Sequence, residues 1–163
     1  FAKIHFKDND KVDFLNADIF DLAGQIDGSD IVFCCNLILH LPDFRVPIKN
    51  LLSVTEKYCF IRTLISDRTY LNKFLYSDDF DKNDNPTNFV LQNTYNYSLL
   101  ANYINSLGNY KIDLIEDEFN ADNINKEFKD FNNKQPGVTN VVENKQISGN
   151  MIFEWKWLKI TVF

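Results

Sequence analysis

The stretch that most constrains this chain is Asp30–Asp43, DIVFCCNLILHLPD. An acidic residue opens it, and Ile31-Val32-Phe33-Cys34-Cys35 follows as an unbroken apolar run. The pattern changes at Asn36, and after Leu37-Ile38-Leu39-His40-Leu41 the Pro42-Asp43 pair stops it. Apolar residues without alternation predict a strand covered on both faces, as in a parallel sheet with helices on either side. The chain therefore reads as α/β. Asn36 falls where open α/β sheets bind ligands, outside the carboxyl edge of the strands.

The flanking segments extend that pattern. Phe1–Asp10 reads as the last turns of a helix and a polar connection, with His5 facing solvent. Val12–Ala17 reads as a strand ended by Asp18, and Ile19–Ile26 as a short helical turn that Gly28-Ser29 breaks. In Phe44–Lys57, Val46, Ile48, Leu51, Leu52 and Val54 recur at helical spacing, with Pro47 near the start. That helix leads into a second buried strand, Tyr58–Ile65. Ser66–Asn96 mixes aromatics with an Asp/Asn cluster at 78–86 and reads as a long functional loop or lid. A calcium loop is the less favoured reading of that cluster, since an EF-hand's glycine and final glutamate are absent. A helix is expected to start within Tyr95-Asn96-Tyr97-Ser98 and run to Leu107, capped by Gly108. Lys111–Phe119 and Asn150–Phe163 alternate as strands, and the polar Asn120–Asn144 between them carries a Gln135-Pro136-Gly137 turn signal. The first three strands, Val12–Ala17, Ile31–Cys35 and Cys59–Leu64, should run parallel, with Ile112–Glu116 and Met151–Lys159 as a closing antiparallel pair.

Composition narrows the function classes. At 163 residues the length fits a single domain, 1–163, and 45% hydrophobic with 15% aromatic content is not a disordered composition. No apolar run approaches the ~20 residues of a membrane span, and the expected location is cytoplasmic. Cys34, Cys35 and Cys59 lie in apolar runs and read as buried, reduced thiols rather than a metal or redox site. As neighbours in a strand, Cys34 and Cys35 point to opposite faces. The net charge of -6 argues against nucleic acid as a partner.

Taken in order, these segments resemble the class I S-adenosylmethionine (SAM)-dependent methyltransferases, a Rossmann-like family. Asp30-Ile31-Val32-Phe33 with Asn36-Leu37-Ile38-Leu39-His40-Leu41-Pro42-Asp43 is similar to that family's fourth-strand motif. Val12–Ile19 is similar to its third strand and adenine-binding acidic loop, and Tyr58–Ile65 to its fifth strand. Lys111–Phe119 and Asn150–Ile160 match its closing antiparallel pair. The resemblance implies a partial Rossmann-like methyltransferase sheet, mostly parallel with a C-terminal antiparallel hairpin, and SAM as cofactor. The family's glycine-rich loop has no counterpart. The five glycines, at 24, 28, 108, 137 and 149, are too far apart to form it. By that alignment the first βαβ unit is missing, and the chain reads as a fragment, inactive alone, of a longer enzyme. Without that unit the edge of Ile31–Cys35 is unpaired. Val12–Ala17 is expected to shift into the gap, or another copy of the chain to fill it as a homo-oligomer.

The resemblance also assigns residues. Asp18 would accept from the adenine amine and Ile19 would pack on its ring; a loop or cap aspartate is the competing reading of Asp18. Asn36 and Leu37 would line the methionine half of the cofactor, with a turn residue as the competing reading of Asn36. His40 is the candidate acid or base, with a satisfied structural histidine as the favoured competing reading, and Leu41 stands where many members carry a second histidine. Arg62, a charge inside a buried strand, must either hold an acidic substrate or pair with a nearby carboxylate. Tyr95, Asn96 and Tyr97 are candidates for an acceptor pocket. Methyl transfer requires alignment and proton removal rather than a metal, so the acceptor is not legible. A small molecule is expected, with a sugar suggested by similarity to methyltransferases found with surface-polysaccharide genes. A nicotinamide-dependent dehydrogenase is disfavoured, because neither dinucleotide glycines nor a Tyr-x-x-x-Lys pair is present. The alternative from another class is a non-enzymatic protein-association module on a degenerate Rossmann-like sheet.

Overall fold

The computed structural model describes all residues except 1–3, 5, 7, 8, 23, 118–139, 143, 144, 149 and 150. The readings of His5, of most of the first helix and of Asn120–Asn144 lie largely outside the described residues. The central sheet contains β1 (Ser29–Cys35), β2 (Thr55–Ser66), β5 (Thr94–Asn96), β6 (Tyr110–Glu116) and β10 (Trp155–Val162), in the order β1-β2-β10-β6, with β5 also on β2. β1 and β5 run parallel to β2, with Cys35 opposite Arg62 and Ile65 opposite Tyr95. β10 is antiparallel to both β2 and β6. The sheet is thus mixed rather than mostly parallel.

Helix α1 (Arg45–Ser53) is the crossover between β1 and β2. Pro47 sits in its first turn, where a missing N–H costs nothing, and Pro47, Ile48, Leu51 and Leu52 form its buried face. Helix α2 (Tyr97–Leu107) begins where the Asn96 side chain accepts from the Leu99 N–H, and it buries Leu100 and Ile104. Gly108 does end this helix, but with an extended backbone rather than a left-handed cap. A Cβ there would meet the Tyr110 ring at 3.0 Å, so close approach is what the glycine supplies. Both helices pack on one face of the sheet, over Cys34, Cys59, Ile61, Leu158 and Ile160.

The opposite face differs from expectation. Ile31, Phe33 and Cys35 are exposed while Cys34 is buried, so β1 is covered on one face only. Phe33 stacks on Phe60 with centroids 4.9 Å apart, and it meets the Trp157 ring edge-on at 6.3 Å. Cys35 is accordingly not a buried thiol. The unbroken apolar run reflects an aromatic surface, and among the described residues no second helical layer covers it.

Val12–Ala17 is not a strand: it enters no ladder, and Val12 bonds back to the Asn9 carbonyl in a turn. It does not fill the place beside β1, and among the described residues β1 pairs with β2 alone. The expected strand Met151–Lys159 is two. β9 (Met151–Phe153) pairs with β8 (Lys145–Ser148), which pairs with β7 (Asn140–Val142), and the chain turns into the central sheet at Glu154. The Ile65 N–H donates to the Glu154 carbonyl, and Phe153 packs with Leu39 and Leu64, which fixes that turn. Ser66–Asn96 is likewise no structureless loop. It holds the hairpin of β3 (Lys73–Leu75) and β4 (Phe89–Leu91). At its tip the Asp81 carboxylate accepts from the Asn83 and Asn85 N–H groups.

Candidate functional site at the carboxyl edge of the sheet

β1 ends at Cys35, and the chain must leave the sheet at once. Asn36 does this with φ at 56°, a left-handed conformation that asparagine tolerates better than other side chains. Its N–H donates to the Arg62 carbonyl at 3.1 Å, and its Oδ1 accepts from the Arg62 guanidinium at 2.6 Å. The strained residue is thus held from the neighbouring strand through both backbone and side chain.

Arg62 is the hub. Nε donates to Asp117 Oδ2 at 2.9 Å and a terminal nitrogen donates to the same oxygen. The guanidinium lies 4.2 Å above the Trp155 ring, and the Trp157 indole N–H donates to Asp117 Oδ1 at 3.3 Å. Its side chain is only 18% exposed, and the Asp117 partner answers the cost of holding a charge in a strand. Asp117, Trp155 and Trp157 did not figure in the sequence reading. The signal was there: an arginine inside an apolar strand demands a carboxylate, but its partner lies 55 residues away.

Beyond Asn36, Leu37 is 39% exposed and starts a single 3-10 turn, Ile38–His40. His40 projects from its end into solvent. Its Nδ1 lies 2.6 Å from the Leu91 carbonyl, which cannot donate, so Nδ1 carries the proton and Nε2 is left as an open acceptor. Asp18 caps the 3-10 turn Ile19–Asp21 by accepting from the Phe20 N–H at 2.9 Å, and it is exposed. Ile19 packs toward the core, and its carbonyl accepts from Asn50 of α1. No hydrogen bond joins Asp18 to Asn36.

The three residues of the expected acceptor pocket lie elsewhere. Tyr95 is 2% exposed, with its hydroxyl between Asn93 and the Ile38 carbonyl, and burial raises its pKa. Asn96 is occupied as the cap of α2 and donates to the Asp67 carbonyl at 2.7 Å. Tyr97 packs against the core. A cleft of about 420 Å³ does open nearby, past the end of β2, lined by Ser66, Asp67, Tyr70, Asn72, Thr94, Met151, Ile152 and Glu154. A smaller one of about 210 Å³ adjoins Asp117 and Trp155.

The fold of the chain as a whole has a likeness among solved structures. An S-adenosylmethionine-dependent methyltransferase from Mesorhizobium loti is similar with a TM-score of 0.50, over 94% of this chain and 71% of that one. The fold is methyltransferase-like. At 8% identity the likeness is one of fold alone. No protein-family model matches the chain, and no curated protein matches it. Among the described residues no helix is long and apolar enough to cross a membrane.

Proposed function

We propose that the domain formed around this sheet is a SAM-dependent methyltransferase acting on a small-molecule acceptor, for which a sugar is one class. The observation that carries this reading is the left-handed Asn36 at the carboxyl end of β1, locked to Arg62, on a methyltransferase-like fold. That is where open α/β sheets receive ligands. The residues present fit part of the cofactor. Asn36 retains its amide N–H groups as donors for a carboxylate, exposed Leu37 offers an apolar contact, and Asp18 keeps one carboxylate oxygen free for an exocyclic amine. Bound SAM would supply an electrophilic methyl group on its sulfonium. In this reading His40, whose Nδ1 is held by the Leu91 carbonyl, takes a proton from an acceptor hydroxyl through Nε2.

The fit is partial because none of the 163 residues supplies a glycine-rich loop. We infer that such a unit would pair with the edge of β1 that has no partner among the described residues, and that residues 1–163 alone turn over no substrate. Several missing hydrogen bonds, together ~3–4 kcal/mol, weaken a micromolar site to roughly millimolar. Two-dimensional NMR of the labelled chain titrated with SAM tests this. Saturable shifts at Asp18, Ile19, Asn36 and Leu37 in the millimolar range are expected. Absence of any shift at about 10 mM SAM would remove the methyltransferase reading. Micromolar binding would instead remove the weak-site argument.

The association-module reading retains support from one feature, the exposed aromatic face beside a strand edge that has no partner among the described residues.

A further inference from the structure

The cleft past the end of β2 has a chemistry that the methyl-transfer reading does not use. Its lining contains Asp67 and Glu154 but no lysine, arginine or histidine, and neither carboxylate enters an ion pair among the described residues. Both residues have their backbones committed. The Asp67 carbonyl accepts from Asn96, and the Glu154 carbonyl accepts from Ile65, so the backbone at both lining carboxylates is braced. The same lining includes Tyr70 and Thr94, each with a hydroxyl, and the apolar Met151. Tyr70 is itself pinned to Thr94 by a reciprocal pair of backbone hydrogen bonds of 2.8 and 2.9 Å.

Such a lining is rich in acceptors. The carboxylates can only accept, and the two hydroxyls can do either. A ligand that satisfies it must bring donors and positive charge, and an aromatic face with a nearby thioether suits an alkylated cation. A bare metal ion fits poorly, since among the described residues no group of three or more His, Cys, Asp or Glu converges. The volume, about 420 Å³, lies in the small-molecule range.

We propose that this cleft binds a small organic ammonium ion, with Asp67 and Glu154 as counter-charges and Tyr70 as the aromatic wall. The site is independent of the Asn36 region and does not rest on methyl transfer. Choline, ethanolamine and the uncharged carbon isostere of choline, 3,3-dimethylbutan-1-ol, are the probes, each titrated into the labelled chain by NMR. Saturable millimolar shifts are expected at Tyr70, Asn72 and Thr94 with either cation, weakened at least about tenfold for the isostere. Asp67→Asn and Glu154→Gln, both exposed and close in shape, should each weaken cation binding and together abolish it. Unchanged spectral dispersion elsewhere shows that the variants are folded. Equal binding of the isostere, cation binding that survives the double substitution, or no saturable shift with either cation up to about 50 mM would each overturn the assignment.

Discussion

Thr63 and Arg62 are neighbours in β2 with opposite fates. Arg62 finds Asp117, Asn36 and the Trp155 ring, whereas the Thr63 hydroxyl is buried with no hydrogen-bond partner. Replacing it by a methyl group removes an unsatisfied polar atom, so Thr63→Val should raise unfolding stability by ~1 kcal/mol in urea titrations. Asp117→Ala strands a mostly buried guanidinium and should cost ~2–4 kcal/mol by the same measurement. Burial pushes the Cys34 thiol from 9.0 up to about 11 and the Cys59 thiol up to about 12, against weaker lowering contributions from the Ile38 backbone and the Thr55 hydroxyl. A thiol whose folded pKa is raised stays protonated while the unfolded chain ionises. Its stabilising contribution is therefore complete below pH 9.0 and is lost as pH climbs toward the folded values. Each contributes up to ~1.4 kcal/mol per pH unit in that window. Urea unfolding at about pH 8 and about pH 10 should differ by a few kcal/mol, and Cys59→Ala should shrink the difference. The Arg62 dilemma was legible from the strand around it. The resolution was not, because sequence spacing does not reveal a carboxylate that follows a strand two places away in the sheet and 55 residues on.

At the scale of elements, runs with one strong period were readable and places where the chain changes sheets were not. Ile31–Cys35, Cys59–Leu64 and the helix ending at Leu107 all have counterparts within a few residues. Val12–Ala17 failed because alternation alone makes no strand without a neighbour to pair with. Met151–Lys159 was split because Glu154 continues the alternating pattern while its carbonyl is claimed by Ile65. The aromatic-rich loop proved to contain a hairpin, whose three-residue strands are too short for periodicity to reveal. The candidate site was legible in the same partial way: Asn36 fell at the strand end, whereas Tyr95 belongs to the core. β1 carries the sharpest consequence. One of its edges has no partner among the described residues, and Phe33 beside it is 62% exposed. Sedimentation velocity should show concentration-dependent dimers, because an unpaired hydrophobic edge recruits a strand. Phe33→Lys should return the chain to monomer with its circular dichroism unchanged. A wild-type monomer at about millimolar concentration would contradict this.

Across the whole molecule, stability is concentrated where β2 and β10 lie side by side. Both are bordered by strands on each side, and they carry the fully buried Ile61, Leu158 and Ile160. The β3–β4 hairpin has exposed or half-buried residues throughout. Hydrogen exchange should find the slowest amides in β2 and β10 and faster exchange in β3 and β4, since local opening is easiest where little apolar surface is lost. Comparable rates in both regions would contradict that ordering. The pairing of β10 with Arg62 has an optical consequence. The chain has two tryptophans, both on β10. Trp155 lies under the guanidinium, and Trp157 donates to its carboxylate partner. All indole emission therefore originates beside one ion pair, the same pair that holds Asn36 in place. A ligand that draws Arg62 or Asn36 aside should change the emission colour and yield without any attached dye, making the protein a native fluorometer of its own crevice.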